Sequence, residues 1–350
     1  MKRCSTLLFV VSLFFCYPVA AQDGQGLERS VVIVVNYVQR GLWYTPWELS
    51  RVDPILGSGF VIEGGQILTN AHVASDSRFM VLFLHNDPNP HYATVTHIAH
   101  DCDLALLRPE EPDLLDGIPP VTFGGLPRLG STVDALGYPV GGTQLSLTRG
   151  VVSRIDAQQY VHSGIDQHLT VQTDAAINSG NSGGPAIQDG KVVGVAFQVI
   201  PDLDNVAYFI PVEVVQRFLH DVQDGRYDGY PDLGVLTTSM ENPAARRKAG
   251  MLEEESGTQI HLVYPESSAD GLLRTGDIVL EVEGHEVAND GTIIDGGLRV
   301  PFGMLVDRRQ IGETVTLHVL RDGERFDVSV PLRANEHSKL LGHVYDRLPK

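Results

Sequence analysis

From Val31 to about Ile210 the apolar residues come in short runs broken by turn residues: VVIVVNYV, GSGFVIEGGQILTN, FMVLFL, YATVTHIAH, STVDALGYPVGG, TRGVVSRI, HLTVQT and KVVGVAFQVI. Short Val/Ile/Leu/Thr segments separated by Gly, Pro, Asn and Asp predict an all-β barrel or sandwich. The period changes at PVEVVQRFLHDV, where Val212, Val215, Phe218 and Leu219 recur at helical spacing behind Pro211. QDGRYDGYPD, rich in Gly, Asp and Tyr, then reads as a linker. A second unit runs from Leu233 to about Leu332, with strands at GVLTTS, TQIHLVY, GDIVLEVEG, TVTLHVL and RFDVSVPL and short helices at NPAARRKAG and near ADGLLRTG. The chain of 350 residues thus divides into two domains.

The first residues have a different pattern. Lys2 and Arg3 precede an apolar stretch from Leu7 to Tyr17, and the small residues Val19-Ala20-Ala21 follow. That is the layout of a secretory signal, removed to leave a chain starting near Gln22, and the stretch falls short of the ~20 residues of a membrane span. No later run is apolar enough to cross a bilayer, so the chain is expected to be secreted or periplasmic, with no stable membrane span. Cys4 and Cys16 leave with the signal, stranding Cys102, which reads as a half-buried strand residue without a disulfide partner.

The formal charge of −18 argues against nucleic acid as a partner, since phosphate binding needs concentrated positive surface. No Cys/His cluster has zinc spacing, and no glycine-rich loop has the Lys-Ser/Thr ending of a nucleotide site. Neither a metal nor another cofactor is expected.

Chemistry concentrates at AINSGNSGGPA, where Ser182 stands in a G-x-S-x-G frame. That frame occurs at the nucleophile elbow of α/β-hydrolases and, in similar form, around the nucleophile of chymotrypsin-type proteases. An elbow requires a helix after the serine. Gly183-Gly184-Pro185 are poor material for a first helical turn, and AIQDGKVVGVAF beyond them reads as a hairpin. Order along the chain points the same way: His72 in ILTNAHV and Asp103 in DCDLALL precede Ser182, giving the chymotrypsin order His, Asp, Ser. Asp101 competes for the acid role. A serine hydroxyl is a weak nucleophile that needs an imidazole to take its proton, and the imidazole needs a carboxylate to hold its tautomer. The glycines let the N–H groups of Gly180, Asn181 and Ser182 aim at a developing oxyanion.

Taken together, GSGFVI, ILTNAHV, DLALL, LGYPVGG, LTRGVVS, QTDAAINSGNSGGPA and the second unit resemble the HtrA/Deg family of secreted serine proteases with C-terminal PDZ domains. Pro46-Trp47, DCDLALL and ANDGTI resemble the longer Deg subgroup typified by plant enzymes, whose chains continue into a second PDZ domain; ending at VYDRLPK departs from that pattern. The resemblance selects Asp103, which stands immediately before Leu-Ala, as the catalytic acid. It implies a mainly β chain, a chymotrypsin-like double β-barrel followed by an α+β PDZ domain, divided as signal 1–21, protease 22–223, PDZ 224–335 and tail 336–350. The implied activity is ATP-independent endoproteolysis of unfolded or damaged proteins by an assembly of trimers, the alternative being a chaperone or peptide-binding module with latent proteolysis. Six residues before the nucleophile, Ala176 takes the base of the specificity pocket, with Ile177 beside it and Phe197 and Val199 on the opposite wall. YPDLGV matches the carboxylate-binding loop, placing Leu233, Gly234 and Val235 where peptides with free C-termini dock.

Overall fold

The structure, a computed structural model, describes residues 26–334, apart from 43, 46, 141 and 200–205. The expected signal 1–21 and tail 336–350, with Cys4, Cys16 and Pro46, lie outside the described residues.

The apolar runs close into two six-stranded barrels. The first contains β1 (Val31–Val38), β2 (Asp53–Ile62), β3 (Gln66–Thr69), β4 (Ser77–Phe83), β5 (His91–Ala99) and β6 (Leu104–Pro109), in the order β1-β2-β3-β6-β5-β4. The second contains β7 (Thr132–Gly137), β8 (Ser146–Gln159), β9 (Gln167–Thr173), β10 (Pro185–Gln188), β11 (Lys191–Val199) and β12 (Ala207–Pro211), in the order β10-β11-β12-β9-β8-β7. Closure leaves neither sheet with a free edge. Val32, Val34, Ile67, Leu82 and Leu107 fill the first barrel, and Val133, Val152, Val171, Val193 and Phe209 the second. The hairpin expected after Ser182 is β10–β11. Its turn residues Asp189 (φ 50°) and Gly190 (φ 72°) both take the left-handed conformation that a two-residue hairpin loop demands. A strand, not a helix, follows Ser182, which removes the α/β-hydrolase reading.

Short helices precede β1 (α1, Leu27–Ser30) and follow β3 (α2, Ala71–Ala74), and α3 (Val212–Asp221) begins behind Pro211 as the apolar spacing predicts. Val212, Val215 and Phe218 are buried. Each such side chain contributes ~1.5–3 kcal/mol relative to exposure.

The second unit carries the sheet β14-β15-β16-β20-β21, from Val235–Ser239, Thr258–Val263, Ile278–Val282, Thr314–Arg321 and Glu324–Pro331, with β17 (His285–Glu286) beside β16. Its ends meet where β13 (Pro231–Asp232) pairs with β22 (Arg333–Ala334). The helix expected at NPAARRKAG is α4 (Pro243–Ala249): the Asn242 side chain accepts from Ala244 N at 2.9 Å and Gly250 ends it. The helix expected near ADGLLRTG is a series of turns instead, because the run around Gly271 is too short to repay nucleation. Not expected in this unit were the hairpin of β18 (Thr292–Asp295) and β19 (Leu298–Pro301), the single turn α5 (Met304–Asp307) and the two-residue strands β13, β17 and β22.

The expected linker is not a free tether. Tyr227 is buried, and the buried Arg217 of α3 donates to Gly229 O (2.7 Å) and Arg309 O (3.2 Å) while its guanidinium lies 3.8 Å from the centre of the Tyr230 ring. Burying that charge is tolerable because it is so fully bonded. A second tie between the units joins buried His168 Nδ1 to Asp307 Oδ2 at 2.7 Å. One apolar cluster runs from the barrel interface (Phe60, Tyr138, Tyr160, Phe197) through Phe218 and Tyr227 to Leu233 and Val306. Within this segment Tyr227 and Tyr230 are therefore the side chains that pack, while 224–226 and 228 are exposed. Among the described residues no helix is long and apolar enough to cross a membrane.

Candidate active site

His72 stands on α2, whose preceding residue Asn70 is extended and buried. The helix is anchored from β1: Asn36, the one polar residue in the centre of that apolar strand, donates to Val73 O and Ser75 O, both at 2.8 Å. Asp103 lies across from it in the turn between β5 and β6 and is 1% exposed. One carboxylate oxygen accepts from His72 N at 2.8 Å, and the other meets His72 Nδ1 at 2.7 Å. The backbone of Asp103 is left-handed (φ 54°), a conformation Asp tolerates better than most residues. Its carbonyl accepts from Asn70 Nδ2 at 2.9 Å. Burial pulls the His72 pKa down, but the charge and hydrogen bond of Asp103 more than offset it, leaving the imidazole above its ordinary value. With Nδ1–H committed to Asp103, Nε2 is left to accept a proton.

Ser182 reaches the same place through Ser58 of the GSGF run. Ser58 N donates to Ser182 O (2.8 Å), Ser58 Oγ donates to Gly180 O (2.7 Å) and accepts from Tyr138 N (2.9 Å), and Ser58 O accepts from Thr69 Oγ1 (2.7 Å). Gly57 lies between the His72 and Ser182 stretches: a Cβ there would come within 2.6 Å of Val73 and 3.2 Å of Ser182 O. Ser182 is half-buried, and among the described residues no hydrogen bond joins its Oγ to His72. Such bonds are often long in unliganded sites and tighten with substrate.

Of the three expected oxyanion donors, two remain available. Asn181 N–H donates to Asn178 O at 2.9 Å, whereas the N–H groups of Gly180 and Ser182 make no hydrogen bond among the described residues. Gly180 is required here: its φ is 99°, and a Cβ would lie 2.4 Å from Tyr138 O.

Of the four residues expected to form one pocket, the three whose side chains are described do not share a face. Ala176 is exposed, its carbonyl accepting from Thr148 Oγ1 at 2.9 Å. Ile177 is buried with Ala135, Ala196 and Ala207. Phe197 follows Ala196 on β11 and points to the other face, where its ring lies 4.8 Å from that of Tyr160. The Val199 side chain lies outside the described residues. Ala196 replaces Phe197 as the neighbour of Ile177.

In the second unit Leu233 is buried, its carbonyl accepting from Ala269 N at 2.9 Å, and Val235 opens β14. Gly234 has φ 71°, and a Cβ on it would lie 2.1 Å from Ser267 Cβ, so only glycine fits. Its N–H donates to Asp232 Oδ1 at 3.1 Å, occupying one donor of the expected carboxylate loop.

Sequence reasoning missed Ser58, Asn36 and Asn70; the first two were visible as polar residues inside apolar strands. Near the site, His100 Nδ1 lies 2.8 Å from His162 Nε2, with the His162 ring 6.1 Å from that of His72. Cys102 is fully buried in the acid turn rather than half-buried in a strand, and burial pushes its thiol well above the usual range. Among the described residues no group of three or more His, Cys, Asp or Glu is placed to hold a metal ion.

The family of trypsin-like peptidase domains matches residues 57–195. Protease Do-like 4, mitochondrial, of Arabidopsis thaliana is 39% identical over 323 residues, which are 92% of this chain and 62% of that protein. The putative Do-like 15 protein of Arabidopsis thaliana is 35% identical over 181 residues, 52% of this chain and 80% of its own length. Several longer Do-like relatives are spanned over less than two thirds of their length. A solved structure described as HtrA-type protease AlgW with tripeptide covers 88% of this chain and 95% of its own with a TM-score of 0.67 and 24% identity, a likeness of fold.

Proposed function

Since the chain belongs to the HtrA/Deg family of serine proteases, we propose that it is an ATP-independent serine endopeptidase acting on unfolded or damaged proteins. One observation carries this reading: a buried Asp103 takes both the backbone and the ring N–H of His72, on the same strand framework that clamps the Ser182 turn. In the reaction Ser182 Oγ adds to the scissile carbonyl while His72 Nε2 takes its proton. Gly180 and Ser182 N–H receive the oxyanion, and His72 returns the proton to the leaving amine. Water then cleaves the acyl-enzyme by the same path in reverse roles. No step needs a cofactor.

Incubating purified chain with an unfolded substrate such as casein and mapping the peptides by mass spectrometry tests both activity and specificity. Ile177 and Ala196 give the pocket small and medium apolar walls, so cuts are expected after Val, Ala or Leu. A dominant preference for Lys or Arg would contradict that pocket.

The second unit is read as a PDZ domain over about 224–335. β14 pairs on one side with β15, leaving its other edge for an added peptide strand beside the Leu233-Gly234-Val235 loop. Full-length Ser182→Ala chain is expected to bind peptides with a free apolar C-terminus and to bind them less when that end is amidated. Equal affinities by calorimetry would reduce the unit to a spacer. Export after loss of residues 1–21 rests on the signal-like pattern of the first residues and assembly as a homotrimer on the resemblance; Protease Do-like 4 and Protease Do-like 2 of Arabidopsis thaliana are described as mitochondrial and chloroplastic.

A further inference from the structure

The acid turn is gripped from two sides. His72 and Asn70 hold Asp103 from the barrel core. From below, the turn rests on a residue of the segment that joins the two units: Tyr227 OH donates to Asp101 Oδ1 at 2.5 Å, an oxygen that also accepts from Cys102 N at 2.9 Å. Cys102 Sγ lies 3.8 Å from the same phenol oxygen. All of these groups are buried, with Asp101 only 1% exposed. We propose that Tyr227 is a positioning residue for the catalytic acid, fixing through Asp101 the turn from which Asp103 reaches His72, so that the inter-unit segment completes the active site.

Two further observations support it. The backbone of Asp103 is left-handed (φ 54°), so the turn that aims its carboxylate at His72 has one specific shape for neighbouring contacts to hold. Tyr227 is itself held, edge-to-face on Phe218 at 5.6 Å and within a segment that Arg217 ties both to α3 and to Arg309 of the second unit. The side chain that steadies the acid is therefore supplied from beyond residue 223, where the protease was expected to end. This rests on the proteolytic reading above.

The test uses the full chain and compares Tyr227→Phe with wild type, with Tyr230→Phe as a control, because among the described residues no hydrogen bond joins the Tyr230 hydroxyl to Asp101. Loosening the acid should lower kcat by roughly tenfold to 100-fold, since a misplacement of about 1 Å can cost that much, while KM stays within about twofold. The acid limb of kcat/KM should also move to lower pH, because His72 keeps its burial and loses part of its carboxylate. A purely structural tyrosine would move neither the limb nor kcat at constant KM. The paired variant Tyr227→Phe with Asp101→Asn removes the charge left without its phenol and keeps an amide oxygen for Cys102 N, should the single variant fold poorly; the same loss and the same pH shift are expected. Wild-type kcat and an unmoved acid limb in Tyr227→Phe would overturn the assignment, and so would equal losses in Tyr230→Phe. Ser182→Ala measured alongside separates the two ideas: if it abolishes cleavage while Tyr227→Phe behaves as wild type, only the positioning role falls.

Discussion

Ser182→Ala should lower kcat by about 10⁶-fold, the loss seen when a catalytic serine is removed from a triad that acts as a unit. At 1.36 kcal/mol per tenfold, that is roughly 8 kcal/mol of transition-state stabilisation. The fold should not follow. Ser182 is half-buried, its structural contact is made by its carbonyl to Ser58 N, and no hydrogen bond of its Oγ to His72 is lost, so the stability change should stay within about 0.5 kcal/mol. Initial rates on a mapped peptide and a thermal melt measure the two quantities. Cleavage within tenfold of wild type would remove Ser182 from the mechanism.

Asp103→Asn should cost about 10⁴-fold in kcat while leaving the turn in place. The asparagine Oδ1 can still accept from His72 N, but its Nδ2 then faces Nδ1 as a donor. The imidazole must turn Nδ1 into an acceptor and carry its proton on Nε2, where it cannot receive the serine proton. A pH profile gives an independent reading. Activity needs neutral His72 and is lost as pH falls through its folded pKa, which burial lowers and Asp103 raises above the ordinary value. With the carboxylate gone and the burial kept, the acid limb of the residual activity should lie at lower pH than in wild type. An unmoved limb, or a loss below tenfold, would make Asp103 a bystander.

The barrels were legible because closed antiparallel strands alternate in and out over short runs: VVIVVNYV is β1 from end to end, and the Asp-Gly turn of β10–β11 announces itself in two residues. The chain order of His72, Asp103 and Ser182 was legible for a different reason, since each has a distinctive local frame. What escaped is long-range. Tyr227 meets Asp101 across 126 positions and Ser58 meets Gly180 across 122, and no local period encodes such pairings. A Gly/Asp/Tyr-rich stretch looks like a linker by composition, yet its tyrosines are the part that packs. The expected wall of Phe197 and Val199 obeys strand alternation, but which face of β11 meets Ile177 depends on a register irregularity between Ala196 and Gln198 that no local pattern encodes. The missed hairpin Thr292–Pro301 has only four residues in each strand, below the length at which alternation stands out from chance.

The central claim is that Ser182 is a nucleophile activated by His72 and Asp103. It is tested most directly by treating the folded chain with a fluorophosphonate, digesting it, and locating the adduct by mass spectrometry. The expected result is one adduct, on Ser182, formed far more slowly in His72→Ala and Asp103→Asn and absent from Ser182→Ala. An adduct on another residue, or labelling of Ser182 at the same rate in the His72 and Asp103 variants, would contradict it.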